Sequence, residues 1–274
     1  MLLKSVGLQM KHILNRKEAI FTWFVLLGFV SWNFIINIMR NQSDVYVSQM
    51  YDPIKTLTLS TWSARGYFLM SLYPLLIVIP TSTVYLNDRK SGEMVYLNAR
   101  FGCKKYMRGK FFAVCISTFV IFTLPFLMEI VLDSICYSNS SVGDPSNFEY
   151  IKTVEDVKQY FAYELFAKNK FLYAVVCTLI FGVASSIFAG FNYAVSTFGF
   201  FKYSIFTFFP IYILFFLIRF LESVVKCSFT TNYFFILRMF DINIKKEIAY
   251  LIFMIVLFVL SFVIIEVNGR RTNT

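Results

Sequence analysis

Histidine is almost absent from this chain: one residue, His12, stands among 274. That excludes catalytic schemes built on an intramembrane or clustered histidine. Cysteine is thin and scattered, with Cys103, Cys115, Cys136, Cys177 and Cys227 all set singly. Without a CxxC pair, and with one His, no zinc site is expected at usable spacing. A Gly-x-x-x-x-Gly-Lys-Ser/Thr loop is missing, so the chain has no means of holding ATP in the Walker manner. Charged residues make up only 15% of the whole, too few to cover a soluble domain of this length. Internal repeats and low-complexity linkers are lacking as well. No cleavable signal peptide is expected, because the first apolar stretch exceeds an h-region and carries no small-residue cleavage site.

What is present is apolar and aromatic. Hydrophobic residues reach 58%, with 34 Phe and 17 Tyr, and the mean hydropathy is +0.64. Six long apolar stretches predict an all-α, polytopic membrane protein folded as a single transmembrane domain over 1–274. The expected spans are 19–38, 66–86, 111–134, 171–198, 203–221 and 248–267. About 20 residues at 1.5 Å rise cross a hydrocarbon core of about 30 Å. Pro74 and Pro80 interrupt the second span, Pro125 the third and Pro210 the fifth. Each removes a backbone hydrogen bond and predicts a kink.

Basic residues set the orientation. Residues 1–17 hold Lys4, Lys11, His12, Arg16 and Lys17, with Leu2, Leu3, Val6, Met10, Ile13 and Leu14 at roughly helical spacing. This predicts an amphipathic helix lying on the inner membrane surface. The segment 87–110 carries seven basic residues, and the outer connections carry mixed charge. The positive-inside rule then puts both termini and 87–110 in the cytoplasm. The formal charge of +10 and pI of about 9.3 are read as partners for anionic headgroups, not for nucleic acid. A Phe, Ile, Lys and Asn bias fits an AT-rich bacterial genome and hence a bacterial plasma membrane.

Three outer segments follow. Residues 39–65 contain a turn signal at Asp52-Pro53. The extracellular loop 135–170 starts polar and turns helix-like at Thr153, where Asp156 completes a weak capping box. Residues 222–247 are semi-apolar and suit a re-entrant pair of short helices. Cys136 and Cys227 both fall on the outer side and are expected as unpaired thiols.

The loop 87–110 holds the most specific pattern. It reads Asp88-Arg89-Lys90-Ser91-Gly92-Glu93, and ends in Tyr106-Met107-Arg108-Gly109-Lys110. Between them Met94, Tyr96, Leu97 and Phe101 alternate with charges such as Arg100, Lys104 and Lys105. Apolar anchors among charges suit a short helix docking in a groove on another protein.

These residues resemble the membrane subunit of an ABC-2-type (type V) ABC transporter. In that family an acidic-basic pair near a Gly follows the second span, a Lys opens the third, and the coupling helix lies between. The resemblance extends in layout to six spans, inner termini, a basic helix before the first span and a semi-apolar segment before the sixth. It implies an exporter permease. ATPase-coupling residues would be Asp88, Arg89, Gly92, Glu93, Tyr96, Leu97, Phe101, Lys104, Lys105 and Lys110. It further implies a separate cytoplasmic ATPase, in two copies, that binds ATP and Mg, and a second permease subunit, identical or related. Cargo would be a hydrophobic or amphipathic peptide, a drug-like compound or a lipid-linked molecule. Small permeases of this kind often serve antimicrobial peptide export or immunity. One departure is the long loop 135–170, which many small members lack, and it leaves the cargo open.

Charges inside spans are costly and point to function. Glu129 and Asp133 are four apart on one face of the third span, and Arg219 sits near the outer end of the fifth. They read either as interfacial charges near headgroups or as a polar patch on the outer part of an export path, where an ion pair of Arg219 with one carboxylate would reduce the cost. Glu266 is expected beside Arg270 and Arg271 as a structural charge. Gly182, Ser186 and Gly190 form a small-residue stripe for close helix packing. Two other readings compete: a gradient-driven secondary transporter, for which the broken second and fifth spans are a faint match, and an intramembrane enzyme, for which catalytic groups are too few.

Overall fold

A computed structural model describes residues 2–40, 52–137, 161–198, 203–225, 237–239 and 247–271. The described residues are helical apart from turns and one isolated bridge pair. The helices are α1 (Leu2–Leu14), α2 (Lys17–Arg40), α3 (Pro53–Thr56), α4 (Ala64–Val78), α5 (Val84–Ser91), α6 (Glu93–Phe101) and α7 (Cys103–Cys136). Then come α8 (Tyr163–Lys168), α9 (Lys170–Ser196), a 3-10 turn at Ser204–Phe208, α10 (Phe209–Val225) and α11 (Glu247–Arg271).

Four of these are long and apolar enough to cross a membrane: α2, α7, α9 and α11. They match the first, third, fourth and sixth expected spans. The second and fifth expected spans differ. Residues 66–86 do not form one helix: α4 stops at Val78 and the chain turns before α5 starts at Val84. Pro80 has no N–H to continue the ladder, and Thr81 and Ser82 both donate to the Val78 carbonyl instead. Pro74, by contrast, is carried inside α4. The stretch 203–221 opens as 3-10 and becomes α-helical at Phe209, with Pro210 in the first turn, where a missing N–H costs nothing.

Long α7 is the centre of the bundle and packs against α1, α2, α9 and α11. Aromatic rings fill the contacts. Phe181 of α9 lies 5.3 Å from Phe126 and 6.0 Å from Phe122 of α7, and 5.7 Å from Tyr73 of α4. Such tilted and edge-to-face pairs add to the burial of each ring. The Tyr73 hydroxyl shares a 2.9 Å hydrogen bond with Ser185 Oγ, so its polar tip is satisfied in the core. Outward faces are apolar too: Phe21, Phe24, Trp32 and Ile35 of α2, and Ile252, Ile255, Val259 and Val263 of α11, are exposed. Exposed rows of this extent suit lipid, not water. The architecture is that of a helical multi-pass membrane protein.

The small-residue stripe packs within the chain. A Cβ on Gly182 would lie 2.3 Å from Thr123, and one on Gly190 3.0 Å from Cys115 Sγ. Both neighbours belong to α7, so the stripe lets α9 close on α7. Ser186 donates back to the Gly182 and Val183 carbonyls. Asp52-Pro53 proves to be a helix start: Asp52 accepts from the Ile54 N–H and Pro53 opens α3. The capping pair Thr153/Asp156, most of the 222–247 segment and Cys227 lie outside the described residues.

Candidate functional site

The connection from α4 to α7 is built on two glycines. Gly92 has φ +78° and ends α5 while it begins α6; Gly102 has φ +79° and joins α6 to α7. Left-handed backbone suits glycine because no Cβ meets the carbonyl. The chain can therefore turn sharply twice without strain. α6 is held between the two turns with no fully buried residue.

A buried ion pair anchors this device. Lys110 Nζ of α7 donates to Asp88 Oδ2 of α5 at 2.5 Å, and both side chains are buried. Tyr106, one turn before Lys110, donates its hydroxyl to the same oxygen at 2.5 Å. The ammonium also lies over the Tyr106 ring. A buried charge needs such partners, and here the carboxylate has both a cation and a neutral donor. Beside it, Arg108 pairs with Glu266 through two donors, with Nη2 2.9 Å from Oε2. Glu266 thus ties α11 to α7 as a structural charge, while the side chains of Arg270 and Arg271, its expected neighbours, lie outside what the structure describes. Helix geometry explains it: Arg108 projects toward α11, which packs on α7.

The amphipathic helix α1 is part of the same assembly. Ser5, Val6, Gln9 and Ile13 recur at three- and four-residue spacing and are buried, whereas Lys4, Lys11 and His12 are exposed. α1 packs on α7, so close that a Cβ on Gly109 would lie 2.7 Å from Ser5 Oγ. The helix has one face on protein, with Leu3 and Leu8 left exposed.

The expected docking residues divide. Asp88 and Lys110 are buried structure. Arg89, Glu93, Tyr96, Lys104 and Lys105 are exposed, with Tyr96 at 68% and its neighbour Val95 at 74%. Leu97 and Met94 are half-buried against the chain's own core, and Phe101 is also half-buried. The free apolar surface of α6 is therefore Val95 and Tyr96.

A second polar group lies at the other end of α7. From Lys110 to Glu129 the helix rises about 28 Å, close to a hydrocarbon core of about 30 Å. Glu129 is buried, and its Oε1 accepts from Asn33 Nδ2 at 2.9 Å, the Thr58 N–H at 2.9 Å and Thr58 Oγ1 at 2.6 Å. Asn33 and Asn37 of α2 both donate to the Thr56 carbonyl. The segment from Asp52 to Ser60 is thereby pinned, almost wholly buried, across α2 and α7. Residues 237–239 add to it. Met239 bonds the backbone of Leu59 and Thr61, and Arg238 donates to the Ser60 and Ser63 carbonyls with its guanidinium 3.8 Å from the Tyr67 ring centroid. Lys170, at the start of α9, pairs with Asp52 at 2.6 Å.

Asp133 is buried one turn beyond Glu129, and both its carboxyl oxygens lack a hydrogen-bond partner among the described residues. The expected ion pair with Arg219 is not formed: Arg219 is exposed on α10, which packs on α9 and α4. Sequence reasoning missed Asn33, Thr58 and Arg238, and it noted Tyr106 in the 87–110 pattern without giving it a role. Asn33 and Asn37, four apart in an apolar span, carried a signal because they share one helix face. Thr58 and Arg238 carried none. Compared with family models, curated proteins and solved structures, the chain matches none of them.

Proposed function

We propose that this chain is the membrane-spanning permease subunit of an ATP-driven exporter. The carrying observation is the device at 84–110: an exposed helix slung between two positive-φ glycines, on a base riveted by the buried Asp88–Lys110 pair. Force on α6 passes through Gly102 directly into α7, the helix on which the rest of the bundle packs. Val95 and Tyr96, with Arg89, Arg100, Lys104 and Lys105 exposed in the same stretch, give an apolar anchor with basic register for a separate ATPase. In this reading α4 with the turn after it, and the 3-10 turn with α10, act as the second and fifth of six spans. Both ends of the chain and α6 face the cytoplasm of a bacterial cell. ATP and Mg belong to the partner, in two copies, and a second permease subunit completes the path. Hydrophobic or amphipathic cargo fits the aromatic interior.

The test is a gentle detergent purification of the full chain from its native membrane, with mass identification of what co-purifies. A stoichiometric ATPase, lost in a Val95→Asp/Tyr96→Asp variant that still folds, is the expected result. A chain that purifies without any nucleotide-binding partner removes this reading.

Asp133 favours a second reading, a gradient-driven transporter. A buried carboxyl without a partner is costly unless it works. Transport that persists without ATP and collapses with the ion gradient would select it.

A further inference from the structure

His12, Asp88 and Glu93 come from three different helices and meet at one place. Their ligand atoms all lie within 4.8 Å of one another. They line a half-open cleft of about 250 Å³ between α1, α5, α6 and α7. Asp88 is not used up by its ion pair: Lys110 and Tyr106 both bond Oδ2, which leaves Oδ1 for another partner. Glu93 is the first residue of α6, and its carboxylate takes part in no ion pair among the described residues. His12 projects from the exposed side of α1.

We propose that these three side chains form a binding site for a divalent transition-metal ion of the zinc class. One imidazole and two carboxylates match zinc in donor type, and three protein ligands leave a fourth position for water. Imidazole argues against Mg²⁺ or Ca²⁺, which take oxygen ligands. Zinc bonds of about 2.0–2.2 Å put ligand atoms roughly 3–4 Å apart, so the ion draws the three groups slightly together. The two that must move, His12 and Glu93, are exposed. Lys110 lines the same cleft, and its charge is already neutralised by Asp88. The consequence is mechanical: the ion clamps α1 to the Gly92 turn and restrains α6. Zinc binding is a property of this chain alone and needs no ATPase.

The experiment uses the full chain in detergent, stripped with chelator and titrated with Zn²⁺ against a chromophoric chelator. About one ion per chain is expected, with a rise in the thermal unfolding midpoint. Loss of mere supporting partners costs about 10–100-fold in affinity, so His12→Ala and Glu93→Gln should each weaken binding at least about tenfold and abolish the thermal shift. Both positions are exposed, so the metal-free variants should unfold at the wild-type midpoint. No bound zinc, or binding unchanged in both variants, overturns the proposal. So does binding that survives them and disappears in Cys103→Ser, since the thiol would then be the ligand.

Discussion

The two ends of α7 solve the same problem in opposite ways. At one end a buried carboxylate, Asp88, is met by the Lys110 ammonium and the Tyr106 hydroxyl. At the other, among the described residues, buried Glu129 is met only by neutral donors, Asn33 and Thr58, and Asp133 by none. The first end is a rivet, because charge neutralised in place resists movement. The second is a polar lattice in which backbone carbonyls and amides share the work, with one carboxyl left over. A helix fixed at one end and bearing, at the other, a buried carboxyl with no partner among the described residues is suited to carry motion from the first end to the second.

The largest effect should come from the rivet. Lys110→Met leaves Asp88 buried without its cation, which costs about 3–5 kcal/mol. Thermal unfolding in detergent should fall sharply, and Asp88→Asn/Lys110→Met should recover most of the loss. If the single variant is as stable as wild type, the pair does not anchor the turn.

Glu129 should behave differently. Glu129→Leu strands the Thr58 N–H and hydroxyl and the Asn33 amide, at a cost of about 3 kcal/mol. Glu129→Gln keeps an acceptor oxygen in the same place and should cost about 1 kcal/mol or less, since a hydrogen bond needs no charge here. At Asp88 the amide cannot substitute in this way, because it would leave the Lys110 ammonium buried alone. Equal losses for Glu129→Gln and Glu129→Leu would show that charge matters at both ends and erase the contrast.

Much of the bundle was legible because apolar runs of membrane length leave one solution, a helix. The first, third, fourth and sixth runs became α2, α7, α9 and α11. The second was misread at its end: Pro80 was recognised as a kink, but a kink and a full break leave the same residues in the sequence. Gly92 was named only through the family resemblance, and its part as the turn between α5 and α6 emerged from the fold. The Glu129 lattice was not, because it joins α2, the segment before α4 and α7, and Thr58 is an ordinary threonine until it is folded against a carboxylate. The proposed metal site escaped for the same reason. Spacing rules seek ligands near one another in sequence, and His12 meets Asp88 only through the packing of α1. Arg219 was assigned by depth alone, and depth does not say which neighbour a helix faces.

Two glycines sharpen the contrast at intermediate magnitude. A Cβ on Gly66 would sit 2.1 Å from the Thr58 carbonyl oxygen, a backbone atom locked in the lattice. Gly66→Ala should therefore cost about 1–3 kcal/mol as overpacking. Gly109→Ala meets side-chain atoms alone, chiefly Ser5 Oγ at 2.7 Å, which can turn away by giving up its hydrogen bond from Gln9, so it should cost only about 1 kcal/mol. Urea or thermal midpoints in the same detergent would rank the two, and the reverse order would mean that the rivet end is the tighter one.

The smallest effect on stability is expected where the chemistry is most exposed to question. Asp133→Asn keeps the shape of a side chain that holds no hydrogen bond among the described residues. With no partner to lose, the variant should unfold within about 0.5 kcal/mol of wild type, or be more stable, since it removes a costly buried acid. A clear fall in midpoint would mean that the carboxyl has a partner supplied from outside, such as a cation or a second subunit. The stability and transport results then separate cleanly. Intact folding with lost transport marks Asp133 as a working group on the path, whereas intact folding with intact transport returns the burden of function to the Asp88 end and to α6.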